Sequence, residues 1–334
     1  MKIILEKLLN NISLNQEESR DVMFKIMSGE YDDVQIAGFL IALRAKGEKS
    51  EEIAGFAQAM RDKMTHIESV DDAIDMCGTG GDASGTFNIS TAASFVVAGA
   101  GVPVAKHGNR SMTSKSGSAD VLTALGVDIT LPPEKVSKCI QDIGIGFMFA
   151  PSLHPAMKYA MGARKALGTR TVFNILGPLC NPAGVERQLM GIFEGSLTDK
   201  VAKVLQKLGS KHAMVVHGYE GLDEISTTSS TKISHLKEDN SIESTAISPS
   251  DFGFEKASLK DLKGGEPEEN AVIIKKILDN SDKGKKADIV ILNAGAGIFV
   301  GGKSKNLEDG VQLARESIES GAAFEKLNQL AAVK

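Results

Sequence analysis

Apolar residues recur at helical spacing through roughly the first 66 positions, and almost nothing there alternates as a half-buried strand would. Asn15 and Glu18 are placed as a capping box ahead of an apolar face made by Val22, Ile26 and Met27, and Gly29 follows as a stop. Another helix ends at Gly47. Ser50 then caps one that runs through Ile53, Phe56 and Met60, with Glu51 and Glu52 in its first turn, where negative charge suits the macrodipole. The pattern predicts a small all-helical domain over residues 1–66.

From Ala73 the period changes. Short apolar runs at Val102–Ala105, Gly146–Phe149, Ala213–Val216 and Asp288–Leu292 read as strands, and helical patterns stand between them at Ser90–Ala100, Asp120–Leu125, Pro133–Ile143 and Thr198–Leu208. That alternation predicts an α/β domain over residues 70–334. The Gly- and Pro-containing stretch Gly162–Gly184 reads as a crossing segment that packs on the helical domain, and Lys283–Lys286 as a solvated loop tip.

A chain of 334 residues, 42% hydrophobic and 24% charged, is long enough for two domains with a substantial core. Its net charge of −5 provides no basic field for nucleic acid or an anionic membrane, so any anion has to be bound locally. The first residues are charged too often for a signal-peptide core, and no segment is apolar and long enough to span a bilayer. A cytoplasmic location is the expectation. Cys77, Cys139 and Cys180 are far apart and odd in number, which fits buried free thiols in a reducing compartment.

The candidate chemistry lies in three polar loops beside apolar runs: Cys77–Asp82 (Cys-Gly-Thr-Gly-Gly-Asp), Asn88–Thr91 (Asn-Ile-Ser-Thr) and Lys106–Arg110 (Lys-His-Gly-Asn-Arg). Small residues let backbone N–H groups and hydroxyls converge on a polyanion, so the loops read as a phosphate-binding surface. Asp223 and Glu224, in a polar turn after a strand, suit magnesium, which favours one or two carboxylates together with substrate phosphate oxygens. Ser90 offers a hydroxyl for a second ion.

Two decoys are set aside. Gly78, Gly80 and Ala83 loosely match a dinucleotide fingerprint, but Lys106 stands where an acidic ribose ligand is needed. Gly297–Ser304 has P-loop spacing with an apolar interior, and Asn306 caps a helix that begins too late for Lys303 to sit in its first turn. The histidines show no metal-ligand spacing; His107 alone lies in a suspect loop, while His154 and His212 read as structural. No Gly-x-Ser-x-Gly nucleophile elbow is present.

Taken in order, Cys77–Asp82, Phe87–Thr91, Lys106–Arg110, Ser114–Leu125, Leu167–Ala183 and Gly221–Ser226 closely resemble the anthranilate phosphoribosyltransferase family. The likeness runs from the helical start to Asn293–Ala296 and Glu308–Gly310. It implies an N-terminal helical domain joined to a larger α/β domain with a mixed, mainly parallel sheet, as in pyrimidine nucleoside phosphorylases, and a homodimer formed through the helical part. The implied reaction moves the phosphoribosyl group of phosphoribosyl diphosphate to the amine of anthranilate in tryptophan biosynthesis, assisted by magnesium (two ions per subunit) and without a covalent enzyme intermediate.

By the same resemblance, phosphoribosyl diphosphate is held by Gly78, Gly81, Asp82, Thr86, Asn88, Ile89, Ser90 and Thr91, by Lys106, His107, Gly108, Asn109, Arg110, Ser111, Met112, Thr113 and Ser114, and by Ser118. Anthranilate is met by Gly78, Asn109 and Arg164, with His107 and Pro178 as further walls. Ser90, Asp223 and Glu224 are the implied metal ligands. Met112-Thr113 and Cys180 depart from the usual residues without removing a ligand. A pyrimidine nucleoside phosphorylase is the main rival and needs no acidic metal pair; against a nucleic-acid-binding relative without activity stand the acidic charge balance and the intact anthranilate-contact positions.

Overall fold

The computed structural model of the protein describes residues 1–82, 84–111 and 115–334. Helices α1 (Lys2–Leu9), α2 (Gln16–Met27), α3 (Asp33–Lys46) and α4 (Ser50–Asp62) open the chain. The Asn15 box closes as predicted: Asn15 Oδ1 accepts the Glu18 N–H at 2.8 Å and Glu18 Oε2 accepts the Asn15 N–H at 3.1 Å. Asp32 and Gln35 form the same device ahead of α3. α3 ends at Gly47, whose φ of +84° suits glycine.

The start of α4 differs from the expectation. Ser50 is already helical, Lys49 takes the cap position, and Glu52 turns inward instead of facing solvent. Its carboxylate accepts the Lys49 N–H at 2.8 Å, the Leu14 N–H at 2.9 Å and Lys46 Nζ at 2.7 Å, so a buried cation and two orphan amides draw it into the bundle. α2 crosses α4 so closely that a Cβ on Gly55 would lie 2.2 Å from the Gln16 carbonyl oxygen.

The α/β domain follows as β1 (Ile74–Gly78), α5 (Ile89–Gly99), β2 (Val104–Gly108), α6 (Ser118–Ala124), α7 (Pro133–Lys138), β3 (Ile145–Phe149), α8 (Ala150–Leu153), α9 (Lys158–Leu167), α10 (Phe173–Leu176), β4 (Arg187–Gly191), α11 (Thr198–Lys207), β5 (His212–Gly218), β6 (Thr231–Leu236), β7 (Ile242–Ile247), α12 (Pro267–Leu278), α13 (Lys285–Val300), α14 (Leu307–Glu319) and α15 (Ala322–Ala332). The sheet has seven strands in the order β3-β2-β1-β4-β5-β6-β7. β1 to β5 pair in parallel, and β6 and β7 add an antiparallel edge.

Side chains of β4 and β5 alternate between two cores. Leu189, Met214 and Val216 join the core under α5, α13 and α14, while Met190, Ala213 and Val215 join one that continues into the helical bundle. α10 and the end of α9 lie in the stretch read as a crossing segment and contribute Ala163, Phe173 and Leu176 to that second core.

Asp288–Leu292, read as a strand, is instead the first half of α13, buried on nearly every side. A short continuous apolar run is ambiguous between a covered strand and a covered helix, and here packing against α5 and α14 on one side and the sheet on the other decided for the helix. The P-loop look-alike dissolves with it. Gly297 lies within α13, and a side chain there would meet Val97 and Met76 at under 3 Å. No helix among the described residues is long and apolar enough to cross a membrane.

Candidate active site

The chain runs β1, β2, β3 towards one edge of the sheet and then returns to place β4 on the other side of β1. In open α/β sheets the crevice at such a reversal, outside the carboxyl ends of the strands, is where ligands bind. β1 and β4 end in register on Gly78 and Gly191. Both glycines are required by what lies over them: a Cβ on Gly78 would sit 2.5 Å from Asp223 Oδ2, and one on Gly191 would sit 1.6 Å from the Asp223 carbonyl oxygen. The acidic turn after β5 is therefore seated on the ends of two strands.

From that seat Asp223 Oδ2 accepts the Gly80 N–H at 2.8 Å, and Glu224 Oε1 accepts the Ser90 N–H at 3.1 Å in the first turn of α5. Gly80 and Gly81 take φ of +66° and +75°, a conformation open to glycine, and the turn they make aims the Gly80 amide at Asp223. Burial pushes the Asp223 carboxyl up to about 7, helped by the neighbouring Asp82, against the pull of the Gly80 amide. Glu224 is pushed well above the usual carboxylate range by burial and by Asp223, with Lys106 and the Ser90 amide opposing. Buried carboxylates crowded in this way shift towards their neutral form unless a cation compensates them, and the donor set here, carboxylate and hydroxyl oxygen, is of the kind magnesium accepts.

Lys106 is buried in β2, its ammonium lowered by desolvation; Nζ donates to the Met76 carbonyl at 2.5 Å and lies 3.5 Å from Ser90 Oγ. Asn88 is a hub. Its Oδ1 accepts from Asn270 Nδ2 at 3.0 Å and from Ser116 Oγ at 3.1 Å, and its Nδ2 donates to the Ser116 carbonyl at 3.1 Å. Asp120 gathers both ends of the basic loop, accepting the Ser111 and Gly117 N–H groups at 3.0 Å each and Arg110 Nη1 at 2.7 Å. Ser118 Oγ donates to the Asn109 carbonyl at 3.3 Å, and Gly108 is packed so tightly that a Cβ would lie 2.2 Å from Ser118 Oγ.

Thr86 bridges to Lys263, Asp82 Oδ1 accepts the Ser84 N–H at 3.3 Å, and Ile89 and Thr91 are buried in α5. The structure thus brings the three polar loops and the acidic turn to one end of the sheet. Met112, Thr113 and Ser114 lie outside the described residues, as does Ala83. Of the anthranilate candidates, Gly78 lies under Asp223, Asn109 borders the basic loop, and the Pro178 carbonyl accepts Gln188 Nε2 at 2.7 Å. Arg164 stacks over Phe173 at 5.2 Å and has no carboxylate partner among the described residues.

Three features escaped sequence reasoning. Arg170 stacks on Phe193 at 4.1 Å and donates to the Gly81 carbonyl, while Arg44 from α3 holds Thr169 and the Arg170 carbonyl, so the bundle touches the glycine loop through two arginines. Cys77 is half-buried, unlike the fully buried Cys139 and Cys180, and burial together with Asp75 pushes its thiol well up. His154, read as merely structural, faces His107 with their Nε2 atoms 3.2 Å apart. Only the long-range meeting of β2 with the segment after β3 creates that pair.

Burial, each other's charge and Lys106 hold His107 down at about 3, and burial holds His154 down at about 4. Both lie below the unfolded value of about 6.5, so between those limits the unfolded chain binds protons that the folded chain refuses. Their contribution to stability is complete above about pH 6.5 and is lost as pH falls, by up to about 1.4 kcal/mol per pH unit for each imidazole. Neither ring is therefore expected to take up a proton in the folded protein between about pH 7.5 and 5, as its Cε1 proton shifts would show. A ring that titrates near 6.5 would contradict the buried neutral pair.

Residues 2–64 match the family described as "Glycosyl transferase family, helical bundle domain", and residues 70–324 match "Glycosyl transferase family, a/b domain". The anthranilate phosphoribosyltransferase of Xanthobacter autotrophicus is 50% identical over 99% of this chain and 96% of its own length. The chain belongs to the anthranilate phosphoribosyltransferase family. Within that family, the crystal structure of the Thermus thermophilus protein superimposes with a TM-score of 0.94 at 42% identity, covering 98% of each chain. The Saccharomyces cerevisiae member in complex with PRPP and Mg gives 0.89 at 30% identity, covering 98% of this chain and 96% of its own.

Proposed function

We propose that this chain transfers the phosphoribosyl group of phosphoribosyl diphosphate to the amine of anthranilate, releasing diphosphate, as the family's activity in tryptophan biosynthesis. The observation that carries the reading is the acidic turn seated on Gly78 and Gly191 at the sheet reversal, facing the amides of the glycine loop and of α5. Glycine-loop N–H groups and the α5 N-terminus hold diphosphate oxygens, with Lys106 adding charge behind them. The residues of the loop Lys106–Ser114, with Ser118, would bind the ribose phosphate.

Asp223, Glu224 and the Ser90 hydroxyl would hold magnesium, two ions per subunit. When bound, the metal neutralises charge that builds up on the departing diphosphate. Breaking the C1′–O bond leaves positive charge on the ribose and sends the electron pair out with diphosphate, while the amine nitrogen bonds to C1′ and then sheds a proton. Each preorganised donor aimed at the leaving group is worth on the order of 3 kcal/mol, about a hundredfold in rate. An aryl amine is already neutral at pH 7, so it needs orientation more than deprotonation. Arg164 supplies a guanidinium fork for the anthranilate carboxylate, and Asn109 an amide.

No covalent enzyme intermediate is part of the scheme. We also assign residues 1–66 and 70–334 as the two domains. Exposed Ile3, Val34, Ile41 and Met161 on α1, α3 and α9 favour a homodimer through the helical part. A cytoplasmic location goes with the biosynthetic role proposed here.

Mixing the purified chain with anthranilate, phosphoribosyl diphosphate and magnesium should consume anthranilate fluorescence. Turnover of thymidine with phosphate, and none with anthranilate, would transfer the chain to the nucleoside phosphorylases. Replacing Asp223→Asn together with Glu224→Gln is expected to raise the magnesium concentration for half-maximal rate by about tenfold or more. An unchanged magnesium dependence would remove both residues from the metal site.

A further inference from the structure

The acidic turn has no regular secondary structure, yet side chains outside every segment assigned to substrate grip it from two directions. Asn293 lies in the middle of α13 and is fully buried. Its Oδ1 accepts the Ile225 N–H at 2.9 Å, and its Nδ2 donates to the Ile225 carbonyl at 2.8 Å and to the Ile289 carbonyl at 2.9 Å. A primary amide thus pairs with Ile225 as a neighbouring strand would, at the residue that directly follows Glu224. Asparagine is a poor helix former, and a buried amide is costly unless its hydrogen bonds are made. Here they are made, and two of the three go to the turn.

On the other side, the Glu220 carboxylate accepts the hydroxyls of Ser226, Thr228 and Ser229. Gly218 makes room for it, since a Cβ there would lie 2.8 Å from Glu220 Oε2. The two grips meet at consecutive residues, Ile225 and Ser226. Between them and the Gly78–Gly191 seat, the Asp223–Glu224 main chain has little freedom left.

We propose that Asn293, seconded by Glu220, is a positioning residue of the metal site: it presets the Asp223 and Glu224 carboxylates before a cation arrives. The inference rests on the reading of that acidic pair as metal ligands. Partners that orient ligands from behind typically change metal affinity by 10- to 100-fold when removed.

The test uses Mn2+ as probe, titrated into the full-length protein with phosphoribosyl diphosphate and followed by the EPR signal of the free ion. Asn293→Leu and Glu220→Gln are each expected to weaken Mn2+ binding by about tenfold or more. At saturating metal the Michaelis constant for anthranilate should stay within about twofold, a split that a general folding defect does not produce. In metal-free protein, amide exchange at Ile225 should be slow in the wild type and fast in Asn293→Leu. Wild-type Mn2+ affinity in both variants overturns the proposal, even if their thermal midpoints fall. Should Asn293→Leu not fold, Glu220→Gln alone decides on the same criterion. The Asp223→Asn, Glu224→Gln protein separates the two levels: if it loses Mn2+ while the positioning variants do not, the acidic-pair reading stands and the proposal falls; if it too binds like wild type, both fall.

Discussion

Gly191→Ala is expected to lower turnover by at least about a hundredfold and to cost about 3 kcal/mol of stability, although it adds a single methyl group. The methyl carbon would be built 1.6 Å from the Asp223 carbonyl oxygen and 2.5 Å from its carbonyl carbon, and both are main-chain atoms. Neither side can yield cheaply. The Gly191 carbonyl accepts the Thr79 N–H at 3.0 Å, and the turn is gripped at Ile225 by Asn293. Relief requires moving the whole turn off β1 and β4, and with it both carboxylates.

Gly78→Ala supplies the contrast. There the obstacle is Asp223 Oδ2, the far end of a side chain that can rotate. Rotation breaks the bond to the Gly80 amide but leaves the backbone in place. Gly78→Ala should therefore lose activity with a much smaller change in thermal midpoint. Steady-state rates and melting curves of the two variants check the pair of expectations; equal destabilisation by both would mean that the turn is not seated as described.

In the helical bundle, Glu52→Ala is expected to cost about 3–5 kcal/mol, a large share of the stability of any domain. It would leave the Lys46 ammonium, whose side chain is 3% exposed, without its carboxylate partner, and would strip the acceptor from the Leu14 and Lys49 amides. An unpaired buried charge is the costly element. Glu52→Leu combined with Lys46→Met removes both charges and should recover much of the loss, because desolvating an ion pair consumes most of what its attraction returns. Denaturant unfolding of the three proteins measures this, and a loss under about 1 kcal/mol for Glu52→Ala would show the pair to be effectively solvated.

Gly191, Glu52 and Asn293 share a property that bears on how far a chain can be read without its structure. Each matters because of a residue far along the chain: Asp223 for Gly191, Leu14 for Glu52, Ile225 for Asn293. The glycine loop and the basic loop were legible as candidates because the function proposed for them needs small residues and donors at adjacent positions, which leaves a local signature. Asp223 and Glu224 were legible as neighbours in a polar turn. What held that turn was not.

The helical start, its caps and the change to α/β alternation were set by short-range physics: side chains that close hydrogen bonds three residues away, and apolar spacing that repeats within a turn or a strand. The amino-acid sequence alone also bounded the charge balance and placed the candidate phosphate loops at the ends of apolar runs. Tertiary structure alone decided that Asp288–Leu292 is a helix, that His107 faces His154, that Arg170 reaches the Gly81 carbonyl, and that the acidic turn rests on two strand ends. The reason is that periodicity encodes which face of an element is covered but not by what, and each of these outcomes depends on the identity of the covering partner.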